Sequence, residues 1–85
     1  MKILVLNCGS SSVKYQLINI EAEQDLASGL VERIGGEESI FSYKRPGKDK
    51  IKTVEMGVDH AKAMHKVLAL LTDPETGVIS NINEI

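Results

Sequence analysis

A strand that breaks off into a small, polar turn is the feature that most limits what this chain can become. Ile3, Leu4, Val5 and Leu6 form an unbroken aliphatic run, Asn7 stops it, and Cys8-Gly9-Ser10-Ser11-Ser12 follows before Val13. Such a continuous run predicts a central strand covered on both faces. Asn7 to Ser11 reads as the turn. From Ser12 to Ile20 the pattern alternates, with Val13, Tyr15 and Leu17 on one side and Lys14 and Gln16 on the other. That is a half-buried strand. The turn between the two suits an anion. Gly9 and the small serines let the backbone approach closely, and consecutive N–H groups in a tight turn form a concave nest for phosphate oxygens. The hydroxyls of Ser10, Ser11 and Ser12 add donors, and Lys14 adds a positive charge. Asn7, at the end of the first strand, can coordinate through its amide oxygen or donate through its nitrogen.

The strand pattern continues. Glu21 to Asp25 is acidic and polar and predicts a reverse turn. Leu26 to Ile34 predicts a third strand, in which Gly29 marks a bulge or a close backbone approach. Gly35-Gly36 is a turn signal. Ser39 to Lys44 alternates as a fourth strand, Pro46-Gly47 turns, and Lys50 to Met56 is a fifth, weakly apolar and lysine-bearing as an exposed edge would be. The period then changes. Ala61, Met64, Leu68 and Leu71 are spaced by three and four, flanked by Val67 and Leu70, which predicts an amphipathic helix capped by Asp59. Thr72-Asp73-Pro74 ends it, because proline disfavours helix at its own position and at the residue before it. Gly77 to Ile85 begins something new. One helix covers one face of a five-stranded sheet, whereas a two-sided apolar first strand asks for cover on both. The chain therefore reads as the front part of a larger fold.

The 85 residues suffice for one small domain, and 42% hydrophobic with 26% charged residues describes a globular chain. A formal net charge of −2 and 4% aromatic residues leave no basis for recruiting nucleic acid or anionic lipid. No apolar run approaches the roughly 20 residues of a membrane span. The apolar stretch after Lys2 is shorter than a signal peptide needs. The single cysteine, Cys8, excludes an internal disulfide and fits a reducing compartment, so a cytoplasmic protein with no membrane partner is expected.

Other motifs are weaker. No Gly-Lys-[Ser/Thr] follows the turn, and Gly-x-Gly-x-x-Gly is absent, so neither a Walker loop nor a dinucleotide fold is supported. Ser11-x-x-Lys14 matches the motif of serine acyl-enzymes, but that chemistry needs a helix, and here the pattern is a strand. Cys8 has no histidine near it in sequence and reads as a turn residue. His60 and His65 splay apart on the helix and do not share a ligand. Glu21, Glu23, Asp25 and Glu37-Glu38 read as solvated turns, and the Lys44 to Lys52 cluster as a solvated hairpin.

Val5-Leu6-Asn7-Cys8-Gly9-Ser10-Ser11-Ser12-Val13-Lys14-Tyr15-Gln16-Leu17 closely resembles the N-terminal signature of the acetate kinases: two apolar residues, Asn, any residue, Gly, Ser, two Ser/Thr, any residue and Lys. The match is unbroken. It is looser over Gly29-Leu30-Val31-Glu32-Arg33-Ile34-Gly35 and over the His60 to Leu71 helix. The resemblance implies an α/β fold of the ribonuclease-H-like type shared with actin, Hsp70 and sugar kinases. Residues 1–85 would be the N-terminal portion of its first domain: five mostly antiparallel strands followed by one helix, with the rest of that domain and the second domain absent. It implies reversible, Mg²⁺-dependent phosphorylation of acetate by ATP to acetyl phosphate. Its partners would be ATP or ADP and acetate or acetyl phosphate, and the full-length enzyme would be a homodimer. By matching position Asn7 would lie at the metal and phosphates; Ser10, Ser12 and Lys14, with the neighbouring Ser11, would line the nucleotide phosphates; and Gly9 would permit the turn. Family members are several times longer, and the residues that clamp the substrate and stabilise the transition state lie in their later parts. No catalytic residue is therefore expected within this chain, which is expected to be inactive alone. A propionate or butyrate kinase and a non-catalytic binding module of the same fold are the rival readings.

Overall fold

A computed structural model describes residues 1–85. β1 (Lys2–Cys8), β2 (Val13–Asn19), β3 (Gln24–Glu32), β4 (Glu38–Lys44) and β5 (Ile51–Met56) precede α1 (His60–Thr72), and a 3₁₀ turn spans Ile82–Glu84. The strands form one sheet in the order β1-β2-β3-β4-β5, every neighbouring pair antiparallel. This is the expected succession of five strands and one helix.

Within residues 1–85, β1 lies at one end of the sheet with β2 as its strand neighbour, and Val5 and Leu6 are 45% and 41% exposed. Two strand ends shift. Asn7 and Cys8 are paired in the ladder, opposite Lys14 and Val13, so the turn proper is Gly9–Ser12. β3 begins at Gln24 and ends at Glu32, before Arg33 takes a left-handed φ of 60° and turns the chain.

The alternation of β2 holds. Val13, Tyr15 and Leu17 are buried, and they meet Ala27 and Val31 of β3, Phe41 and Tyr43 of β4, and Ala63, Val67 and Leu71 of α1 in one core. Of β1, Leu4 alone packs against that core. The phase of α1 differs from the expected one. Its buried line is Ala63, Val67 and Leu71, with Met64 and Leu70 beside it, while Ala61 is exposed. The helix is entered at Asp59, whose carboxylate accepts from the Lys62 amide at 2.8 Å. After α1 the Leu71 carbonyl accepts from the Val78 and Ile79 amides at 3.0 and 3.2 Å, drawing Ile79 into the core. Lys2 then ties β1 to Glu84 at 2.5 Å, and the Glu84 carboxyl is held below the usual range by Lys2 and the Ser80 amide.

Gly29 marks a close approach. It sits between Tyr15 of β2 and Tyr43 of β4, and an added Cβ would land on the Ser42 carbonyl oxygen and the Tyr15 ring. The register irregularity in this part of the sheet lies instead at Leu17/Ile18. Burial pushes both phenols above their ordinary 10.0; the neighbouring Tyr43 raises Tyr15 further, and Arg45 pulls Tyr43 part of the way back. Each folded phenol keeps its proton to higher pH than the unfolded chain does. The associated stability is therefore intact below about pH 10 and is lost as pH climbs beyond it. Urea midpoints should be level from pH 8 to 10 and fall above that, with a shallower fall for Tyr15→Phe. A profile level through pH 11.5 would contradict this assignment.

Candidate functional site

The candidate site is the β1–β2 turn. The Gly9 amide donates to the Ser12 carbonyl at 2.8 Å, which leaves Ser10 and Ser11 as a two-residue tip. Hairpin tips of that length usually take mirror-image turns with positive φ. Here neither serine does so; the non-glycine positive φ values belong to Glu23 and Arg33. Gly9 itself avoids positive φ, and its demand is for room, since a Cβ would come within 3.0 Å of Ser12 Oγ.

What holds the tip is a contact the sequence does not show. The Ile34 amide donates to the Ser11 carbonyl at 2.8 Å, Gly35 N–H donates to the Val58 carbonyl at 3.0 Å, and Ser39 Oγ donates to the Arg33 carbonyl at 3.0 Å. The β3–β4 connection thus buttresses the turn, with Ile34 anchored in the core at 6% exposure. Gly35-Gly36 signals the connection in the sequence, but nothing local says that it reaches Ser11.

The donors of the turn are uncommitted. No hydrogen bond within the chain engages the amides of Ser10, Ser11 and Ser12, the hydroxyls of these serines, the Asn7 carboxamide or the Lys14 ammonium. Asn7, Gly9, Ser10, Ser11 and Lys14 are exposed and Ser12 is half-buried. Asn7 and Lys14 are directly opposed across the ladder, on the face away from the core. The structure therefore brings together all six candidate residues: Asn7, Gly9, Ser10, Ser11, Ser12 and Lys14. Ser11 lies in a turn and Lys14 in a strand, which removes the helical geometry that a Ser-x-x-Lys acyl-enzyme needs.

The oxygens on offer are neutral: Asn7 Oδ1 and the serine hydroxyls, with no Asp or Glu among the first twenty residues. Mg²⁺ takes hard oxygen ligands and commonly binds through substrate phosphates and water with few protein groups. The donor set fits a magnesium ion carried by a polyphosphate, and Asn7 Oδ1 is the side-chain amide oxygen on offer there. Cys8 is exposed beside the turn and makes no disulfide. No helix is long and apolar enough to cross a membrane.

The Acetokinase family model matches residues 2–85. Over all 85 residues the chain is 56% identical to the acetate kinases of Symbiobacterium thermophilum and of Clostridium novyi, covering 21% of each. A crystal structure of Porphyromonas gingivalis acetate kinase superposes with a TM-score of 0.91 at 38% identity, over 99% of this chain and 21% of that one. A propionate kinase from Francisella tularensis superposes at 0.78 with 33% identity, over 88% of this chain and 19% of that one. The chain thus spans about one fifth of the length of the relatives it matches. The expected fold class stands: these strands and this helix superpose on those of an acetate kinase and a propionate kinase.

Proposed function

This chain belongs to the acetokinase family, and from that premise we propose that it supplies the phosphate-binding loop of an ATP-dependent kinase converting acetate to acetyl phosphate. The observation that carries the proposal is the set of uncommitted donors at Ser10–Ser12, opposite the Asn7–Lys14 pair. Phosphoryl transfer asks a protein mainly to position groups and to neutralise charge. The amides and hydroxyls of Ser10, Ser11 and Ser12 would donate to phosphate oxygens, Lys14 would offset their charge, and Asn7 would help hold the metal-bound phosphates. Mg²⁺, when bound, would supply positive charge to the phosphate oxygens. Residues 1–85 would be the N-terminal portion of the first ribonuclease-H-like domain. The acetate site and the residues that act on the transferred group would come from the part of the relatives this chain does not span. Cytoplasmic location and a homodimeric complete enzyme belong to the same reading.

The test is a graft. Residues 1–85 replace the matching residues of the Clostridium novyi acetate kinase, and acetyl phosphate formed from ATP, Mg²⁺ and acetate is trapped with hydroxylamine. Propionate and butyrate are run in parallel. Acetate-dependent product from the graft supports the reading. A folded graft that binds no nucleotide and makes no acyl phosphate would favour a non-catalytic module. Asn7→Ala in the active graft should raise the Mg²⁺ concentration needed for half-maximal turnover several-fold; an unmoved Mg²⁺ curve would reduce Asn7 to a turn residue.

A further inference from the structure

The face of the sheet turned away from α1 carries a concentration of cations that takes in Lys14. Cross-strand register runs one row from Asn7 through Lys14, Leu30 and Ser42 to Lys52, and the adjacent row pairs Ser28 with Lys44. An open depression of about 190 Å³ lies here, lined by Lys14, Ser28, Leu30, Ser42, Lys44 and Lys50, with backbone of Gly29 and Tyr43 in its floor. Neighbouring strands stand roughly 5 Å apart, so the lysine side chains of β2 and β4 can reach one small ligand between them. The volume is below the roughly 300 Å³ at which pockets for whole drug-sized molecules begin. It suits a compact group.

Two further observations say what group. Lys14, Lys44 and Lys50 make no salt bridge; the chain's ion pairs are Met1–Glu21, Lys2–Glu84 and Lys66–Glu55. Three like charges are thus left on one face of a chain whose formal net charge is −2. The carboxylate beside the cluster, Asp25, is engaged by Gln16 Nε2 at 2.8 Å and lines the next depression along with Lys44. The second observation is Ser42. It is 5% exposed, its side chain lies on this outer face, and its hydroxyl has no hydrogen-bond partner in the chain. No buried side-chain polar atom in the molecule is orphaned, so that hydroxyl keeps its access to solvent through the depression it lines. A solvent-reachable, unpartnered hydroxyl on an otherwise buried serine, in one depression with three lysines that make no salt bridge, is a donor set for an oxyanion.

We propose that this outer face is a second anion site, distinct from the β1–β2 turn, which binds phosphate or a condensed phosphate between Lys14, Lys44 and Lys50 with Ser42 at its floor. It shares Lys14 with the turn but does not depend on the function proposed for the turn. Tripolyphosphate titrated into the ¹⁵N-labelled chain at low salt should move the Leu30, Ser42 and Lys44 amides to saturation. The double variant Lys44→Gln, Lys50→Gln removes two exposed charges without touching the core. It should weaken that binding about tenfold. Ser42→Ala repeats the test from the floor, with an expected loss of about threefold. ATP and AMP separate the sources: ATP moving the same amides as tightly as tripolyphosphate identifies a nucleotide tail, and tripolyphosphate binding alone identifies an inorganic chain. Shifts confined to Gly9–Ser12, or a double variant that binds as the parent does, would overturn the proposal. Silence at Gly9–Ser12 under ATP with Mg²⁺ would instead count against the phosphate role of the turn and leave the outer face standing.

Discussion

Gly29→Ala should cost about 3 kcal/mol of folding stability, one methyl group added at a half-exposed strand position. Gly29 faces Tyr15 on one side and Tyr43 on the other, and its Cβ would coincide with the Ser42 carbonyl and with Oη and Cζ of Tyr15. Neither neighbour can yield cheaply. The carbonyl belongs to β4, and it accepts from Tyr15 Oη at 3.1 Å. Tyr15 is 1% exposed, enclosed by the core. A domain of this size has roughly 4–13 kcal/mol in total. The urea midpoint should therefore fall by about a quarter or more at an unchanged slope. Gly29→Ala combined with Tyr15→Phe should recover little, because the ring carbon remains in the way. A midpoint within experimental error of the parent's would mean that β3 and β4 part more easily than this packing indicates.

Lys14→Ala should raise the KM for ATP in the grafted enzyme about thirtyfold, equivalent to about 2 kcal/mol for a lost charge-assisted hydrogen bond. The KM for acetate should hold. Lys14 is exposed and has no salt bridge, so its removal should leave the urea midpoint alone, which separates a binding role from a structural one. Lys14→Arg keeps the charge and should recover part of the affinity. An unchanged KM for ATP would end the phosphate role assigned to this residue.

Much of the local architecture was legible in residue order. The alternation of Val13, Tyr15 and Leu17 named the buried face of β2, Asp59 marked the start of α1, and Thr72-Asp73-Pro74 marked its end. Each follows from a period or a cap, and those are set by a few neighbouring residues. The Asn7 to Lys14 signature was readable for the same reason, because a hairpin brings together residues that are already close in sequence.

Tertiary structure decided the rest. An aliphatic run in β1 could not tell whether a second strand flanks it, since strand pairing depends on partners far along the chain. The inward line of α1 runs through Ala63, Val67 and Leu71 and leaves Ala61 exposed, because packing on the sheet selects among the lines that the helix period allows. Pinning of Ser11 by Ile34, and the meeting of Lys14 with Ser42, Lys44 and Lys50, require registers across three or more strands. By itself the sequence determined the elements, the donor-rich turn and the family signature. Only the folded sheet decided the register between strands, why position 29 must be glycine and which cations share a face, because register is a long-range property and periodicity is a local one.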